Sequence, residues 1–199
     1  MNLIVKFNSL FYLFFSQTFY RLLMFQFGSK SRIIKPLLIL NYKHISVGNN
    51  VLIRNGARIE VVDPQNEVVI KIGNNVNIEQ NVHIVARYLV QIGNNVTITG
   101  GCSIVDVIHP YDEINSEHKI GDRISQGAYP VYIGDDSFVG YGAHISPNVR
   151  VGKNCIIGAN SVVTKDVPDY CVVAGAPARI IKRYCHESQS WKKVNHEST

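Results

Sequence analysis

The sequence lacks the features that most quickly place a chain. No apolar run near its start approaches the roughly 20 residues a membrane-spanning helix needs. The longest charge-free run there, Phe7 to Tyr20, is 14 residues and is interrupted by Asn8, Ser9, Ser16, Gln17 and Thr18. No Ala-x-Ala-like site follows it, so a cleaved signal peptide is not expected. The four cysteines, Cys102, Cys155, Cys171 and Cys185, form no C-x-x-C pair and have no His at metal-ligand spacing. Neither a zinc site nor a disulfide framework is indicated, and a reducing cytoplasm fits. Seven prolines and fifteen glycines are too few for a collagen-like or Pro-rich chain, and 18% charged against 46% hydrophobic residues excludes a disordered one. At 199 residues the length suits one domain.

Acidic residues are missing where the chain begins. Residues 1–46 carry six Lys/Arg and no acid, residues 47–178 carry nine bases against thirteen acids, and residues 179–199 carry five against two. The net +5 is therefore a basic head and a basic tail around an acidic body, which argues against one continuous nucleic-acid-binding face. Seven of the eight Phe fall in the first 27 residues. This head reads as a helical segment that either packs on the body or lies on a membrane surface.

What the sequence does contain is a repeat of period six from Val47 to Pro168. The first places are Val47, Ile53, Ile59; Ile72, Ile78, Ile84; Ile92, Ile98, Ile104; Ile133, Val139, Ile145; and Val151, Ile157, Val163, all Ile or Val. Gly fills the second place in seven hexads and Asn or Asp often follows, as in Asn49-Asn50 and Asp135-Asp136, residues that tolerate a positive φ at a corner. The fifth place is small: Val51, Ala57, Val76, Val82, Val96, Cys102, Ala143 and Cys155. Short strands with corners, three per 18-residue turn, stack into a parallel β-helix of triangular section. Coil starts separated by 25, 20, 41 and 18 residues require insertions of 7, 2 and 23. All three fall between the third hexad of one coil and the first of the next, at one corner of the prism.

The 23-residue insertion falls within the projecting loop 107–131, which follows Asp106 and holds His109 next to Pro110. A neutral imidazole at the point where a coil breaks into a stiffened loop suits a general base, although no Ser or Cys nucleophile pattern accompanies it. The other six histidines read as surface or structural residues.

The hexads, the stretch Ile133-Gly134-Asp135-Asp136-Ser137-Phe138-Val139-Gly140, and the closing run Ile157 to Pro168 followed by Ala174-Gly175-Ala176-Pro177-Ala178-Arg179 resemble the hexapeptide-repeat acyltransferases over about residues 40–185. Within that superfamily the chain looks most like the O-acetyltransferases of lipopolysaccharide O-antigen and capsule synthesis. The resemblance implies an all-β, left-handed parallel β-helix with an N-terminal helical segment and a short C-terminal helix, assembled as a homotrimer with active sites between subunits. The corresponding divisions are a head over 1–40, the acyltransferase domain over 41–178 and a basic tail over 179–199.

It also implies acetyl transfer from acetyl-CoA to a sugar hydroxyl without an acyl-enzyme or a metal. His109 matches the family's general base, and the backbone amide of Tyr141 its oxyanion donor and CoA contact. Ala159, Lys165, Arg179 and Lys182 match CoA-binding positions, and Glu79 stands where the galactoside acetyltransferases have an acceptor-contacting Asn. The Trp common before the Gly of this motif is Phe138 here. The acceptor would be a sugar or lipid-linked glycan, with residues 1–27 touching the inner face of the cell membrane. Two other readings exist: a non-catalytic trimeric scaffold of a polysaccharide-assembly complex, and a carbonic anhydrase-like protein, which needs three converging imidazoles where only His83 and His109 offer themselves.

Overall fold

The computed structural model describes residues 3–194; His196 and the rest of the last five residues of the expected tail lie outside them. Helix α1 spans Leu3–Leu23. Three sheets follow, visited in rotation by strands of two to four residues as far as Val162–Val163. The first runs from Gln26–Phe27 through Ile45–Val47, Ile70–Ile72, Val90–Ile92 and Val131–Ile133 to Arg150–Val151, the strands all parallel. The second begins at Arg32–Ile33 and the third at Leu38–Leu40.

The register is that of the hexads. Val47, Ile72, Ile92, Ile133 and Val151 lie one above another, as do Ile53, Ile78, Ile98, Val139 and Ile157, and Ile59, Ile84, Ile104, Ile145 and Val163. All fifteen are buried in one continuous core. A β-branched side chain suits this place because its stiff χ1 packs on an identical neighbour along the stack. The small fifth-place residues are buried with them.

The coil stack starts earlier than the repeat suggests. Phe27, Ile33 and Ile39 pair with Val47, Ile53 and Ile59, so a complete coil lies within the segment read as a separate head. The second-place glycines owe their identity to crowding. Their φ values are not positive, but a Cβ at Gly48 would sit 2.5 Å from the Gly73 carbonyl oxygen. The positive φ falls on the second Asn or Asp that follows, such as Asn50 at 55° and Asp136 at 59°.

Both ends are closed. α1 lays Ser16 and Tyr20 on the first coil, and Met24, one residue past its end, is buried with them. The Ser16 hydroxyl accepts from the Ile33 amide at 2.9 Å, and the Gln17 amide group donates to the Gly28 and Ser31 carbonyls. At the other end no C-terminal helix forms among the described residues. Instead Cys171–Gly175, the last parallel strand of the second sheet, is followed by antiparallel strands Ala178–Cys185 and Ser190–Lys193. The physical reason is an open edge: Cys171–Gly175 offers unpaired N–H and C=O groups, and a returning strand satisfies them where a helix would not.

Candidate functional site

All three insertions do leave at one edge, where the chain passes from the third sheet to the first. Arg87 ties them together. It is 3% exposed, and its guanidinium donates to Asp63 in the first insertion at 3.0 Å and to Gln126 in the long loop at 2.7 Å. Asp106 roots the long loop in the coil beside it. Its carboxylate accepts from the amides of Arg87, Tyr88 and Leu89 at 2.6, 2.8 and 2.7 Å. Burial pushes the Asp106 carboxyl up in pKa, while these three amides and the Arg87 charge pull it back down.

His109 lies three residues beyond Asp106 and is exposed. Its Nδ1 is 2.7 Å from the Arg123 carbonyl oxygen. A carbonyl only accepts, so Nδ1 carries the proton and Nε2 keeps its lone pair. Arg123 is itself fixed, donating to the His118 carbonyl at 3.0 Å and the Glu113 carbonyl at 2.9 Å, and the Ser125 amide donates to Ile108 at 2.9 Å. A loop of polar composition thus holds one imidazole in a set tautomer.

The remaining expected site residues fall elsewhere. Tyr141, Ala159 and Glu79 sit along a different edge, between the second and third sheets. There the Gly140 and Gly142 amides donate to Ile157 and Gly100, while the Tyr141 amide between them has no partner among the described residues. The Ala159 amide one coil on is free in the same sense. Gly140 allows this close stacking: a Cβ there would lie 2.6 Å from the Ala159 nitrogen. The Tyr141 ring lies against Gly100. Glu79, two coils back, is paired with Arg54 at 2.8 Å. One chain therefore does not bring His109 to Tyr141, because they occupy different edges of the stack.

Lys165 and Arg179 do converge. Together with Asp166, Val163, Val167 and Val173 they line a groove of about 280 Å³ at the C-terminal end. Lys182 does not line it; it pairs with Val172 and Lys193 within the terminal strands. Arg87 and the anchoring part of Asp106 are not legible in the sequence, since both act through contacts between residues 17 to 39 apart and leave no local pattern.

The outer face of the third sheet carries Arg58, His83, Ser103 and His144 in register. His83 Nε2 is 2.9 Å from Glu60, and His144 Nδ1 is 2.7 Å from the Ser103 hydroxyl. Burial lowers the His144 pKa. Among the described residues no three His, Cys, Asp or Glu side chains are grouped to hold a metal. No described helix is long and apolar enough to cross a membrane.

Comparison with known proteins gives concordant results. Residues 130–165 match the family model for bacterial transferase hexapeptide repeats. A protein of Escherichia coli K12 named for O-acetyl transfer in lipopolysaccharide biosynthesis is 33% identical over 173 residues, covering 84% of this chain and 87% of its own. The galactoside O-acetyltransferase of the same organism is 36% identical over 57% of this chain and 53% of its own. Among solved structures, the N-acyltransferase AntD of Bacillus cereus, crystallised with dTDP and coenzyme A, superposes with a TM-score of 0.70 at 19% identity over 86% of this chain and 90% of that one, a likeness of fold. A maltose O-acetyltransferase of Clostridium difficile 630 has a TM-score of 0.55 at 27% identity over 89% and 82%.

Proposed function

The chain belongs to the hexapeptide-repeat acyltransferases, and from that membership we propose that it moves an acetyl group from acetyl-CoA to a hydroxyl of a sugar in a surface polysaccharide or its precursor. The observation that carries the reading is the hydrogen bond from His109 Nδ1 to the Arg123 carbonyl, which leaves Nε2 basic at the mouth of a braced loop. Nε2 takes the proton of the sugar hydroxyl as its oxygen attacks the thioester carbonyl carbon. The C–S bond then breaks, and the imidazolium returns the proton to the departing CoA thiolate. No acyl-enzyme is needed, which accords with the lack of a Ser or Cys nucleophile pattern.

The tetrahedral oxyanion needs a fixed donor, and the unpartnered Tyr141 amide suits it. Because His109 and Tyr141 lie on different edges of one chain, the site we infer is completed by a second copy: the loop edge of one subunit faces the Tyr141 and Ala159 edge of the next. Three copies close such a head-to-tail contact into a trimer. Pantetheine passes Ala159, and Lys165 and Arg179 meet the phosphates of CoA. Lys182, outside their groove, is given at most a long-range electrostatic part. Glu79, being paired with Arg54, is kept only as an acceptor-side position on the same edge. The coil is taken to wind left-handed, as the resemblance to the family implies.

The enzyme is assigned to the cytoplasm, where acetyl-CoA is available, with α1 against the inner face of the membrane. This last part draws on the outer side of α1, where Phe14 is 72% and Leu22 85% exposed, and on the absence of any acid before Glu60. The deciding experiment is proton NMR of the surface polysaccharide with and without the gene. Disappearance of an O-acetyl signal is expected; an unchanged spectrum removes the proposal.

A further inference from the structure

The edge between the first and second sheets takes no part in the chemistry above, yet it ends in a built groove. After the first coil, which turns this corner at Lys30 with φ 59°, six successive coils turn it on a residue with positive φ: Asn50 at 55°, Asn75 at 56°, Asn95 at 57°, Asp136 at 59°, Asn154 at 53° and Tyr170 at 56°. Asn and Asp are suited to that conformation and a tyrosine is not. The first four side chains form a ladder, each amide donating to the next residue at 2.9 Å as far as Asp136 Oδ1. There it stops. The second Asp136 oxygen and the Asn154 side chain have no hydrogen-bond partner among the described residues.

Over this free end folds the terminal pair of antiparallel strands. Tyr184 and Trp191 are cross-strand partners with ring centroids 5.4 Å apart at 70°, and Tyr170 lies 6.3 Å from Tyr184. With Ile156, Asp136 and Asn154 these three rings line a groove of about 450 Å³. Its chemistry differs from that of the Lys165 and Arg179 groove. Among the described residues no cation lines it, although Lys153 Nζ lies 5.6 Å from the Tyr170 ring centroid, and the Asp136 carboxylate in its lining repels phosphate. Aromatic faces beside a free carboxylate oxygen and a free amide instead match a pyranose, which has an apolar C–H face and a rim of hydroxyl donors and acceptors.

We propose that this groove is a binding site for a neutral glycan, separate from the reacting centre, with Trp191 and Tyr184 as the stacking surface and Asp136 and Asn154 as hydroxyl contacts. Tyr170 is kept at a strained corner to complete that surface. As an anchor for a polymeric acceptor the site rests on the acetyltransferase reading; as a glycan site it does not. If the loop edge of each subunit meets the Tyr141 edge of the next, the third sheet faces the trimer axis and this groove points outward, open to a long chain.

The test uses the full chain, whose only tryptophan is Trp191. A microarray of neutral oligosaccharides probed with labelled protein should show bound glycans, and titrating one of them should shift Trp191 fluorescence. Asn154→Ala and Tyr170→Asn should each weaken that binding at least tenfold. Tyr170→Asn restores the Asn/Asp type of the five preceding corners and so keeps the fold. Trp191→Phe should retain binding within a few-fold while Trp191→Ala loses it. An array with no neutral glycan bound overturns the proposal, as does wild-type affinity in folded Tyr170→Asn and Asn154→Ala. Glycan binding by a protein that transfers no acetyl group would remove the catalytic reading and leave this one standing.

Discussion

Two histidines show how the same residue type is put to different use by its surroundings. His109 has its tautomer set by the Arg123 carbonyl and its free nitrogen in solvent. His109→Ala should lower kcat by about a thousandfold, the scale of general-base catalysis, with the wild-type assembly state kept by light scattering; turnover near wild type would remove the assignment. His144 is instead held against Ser103, and burial lowers its pKa from the ordinary 6.5. A depressed histidine pKa means that the folded state prefers the neutral ring. Its contribution to stability is full above about pH 6.5 and is lost as pH falls from there through the folded value. The melting temperature should therefore drop between pH 7.5 and pH 5, and His144→Gln should reduce that drop. An identical pH dependence in the variant would show that His144 is not responsible.

At the scale of elements, α1 divides its work between two faces. Ser16 and Tyr20, four apart, hold the first coil, with Met24 just past the helix end continuing that spacing, while Leu10, Phe11, Phe14 and Leu22 remain exposed. Packing on the body and lying on a membrane surface are compatible, because a helix has two sides and packing uses only one. Phe14→Ser with Leu22→Ser should leave melting unchanged and abolish co-sedimentation with vesicles containing anionic lipid. Undiminished co-sedimentation would exclude this face as the membrane contact. Removing residues 1–27 would be a poor test, because it strips Tyr20, Met24 and Phe27 from the core.

For the whole molecule, the separation of His109 from Tyr141 and Ala159 leads to a complementation experiment. His109→Ala and Ala159→Trp chains, each inactive alone, should recover about a quarter of wild-type activity when unfolded together in equal amounts and reassembled. In the trimer we propose, three quarters of the assemblies would be mixed, and each mixed one would have one intact site in three. No recovery would mean that the site lies within one chain.

How much of this was legible follows from the range of the interactions. The hexads were readable because each coil repeats the same local demand, an Ile or Val inward, a small residue at the fifth place and a corner after it. The first coil escaped notice because Phe27 replaces Ile or Val amid a Phe-rich head, although Gly28, Ile33 and Ile39 keep the spacing. The terminal strands escaped notice because Ala178–Cys185 is extended only by pairing with the open edge of Cys171–Gly175.

By itself, then, the sequence determined the period, the three-sheet stack, the edge that carries the insertions and the histidine at the root of the longest one. Each is encoded within a few residues. Only the tertiary structure decided that Arg87 bridges Asp63 to Gln126, that the expected site residues are divided between edges, and that Tyr170, Tyr184 and Trp191 meet over Asp136. Those contacts join residues far apart in the chain, and their partners are fixed by how the coils stack and where the chain end folds back.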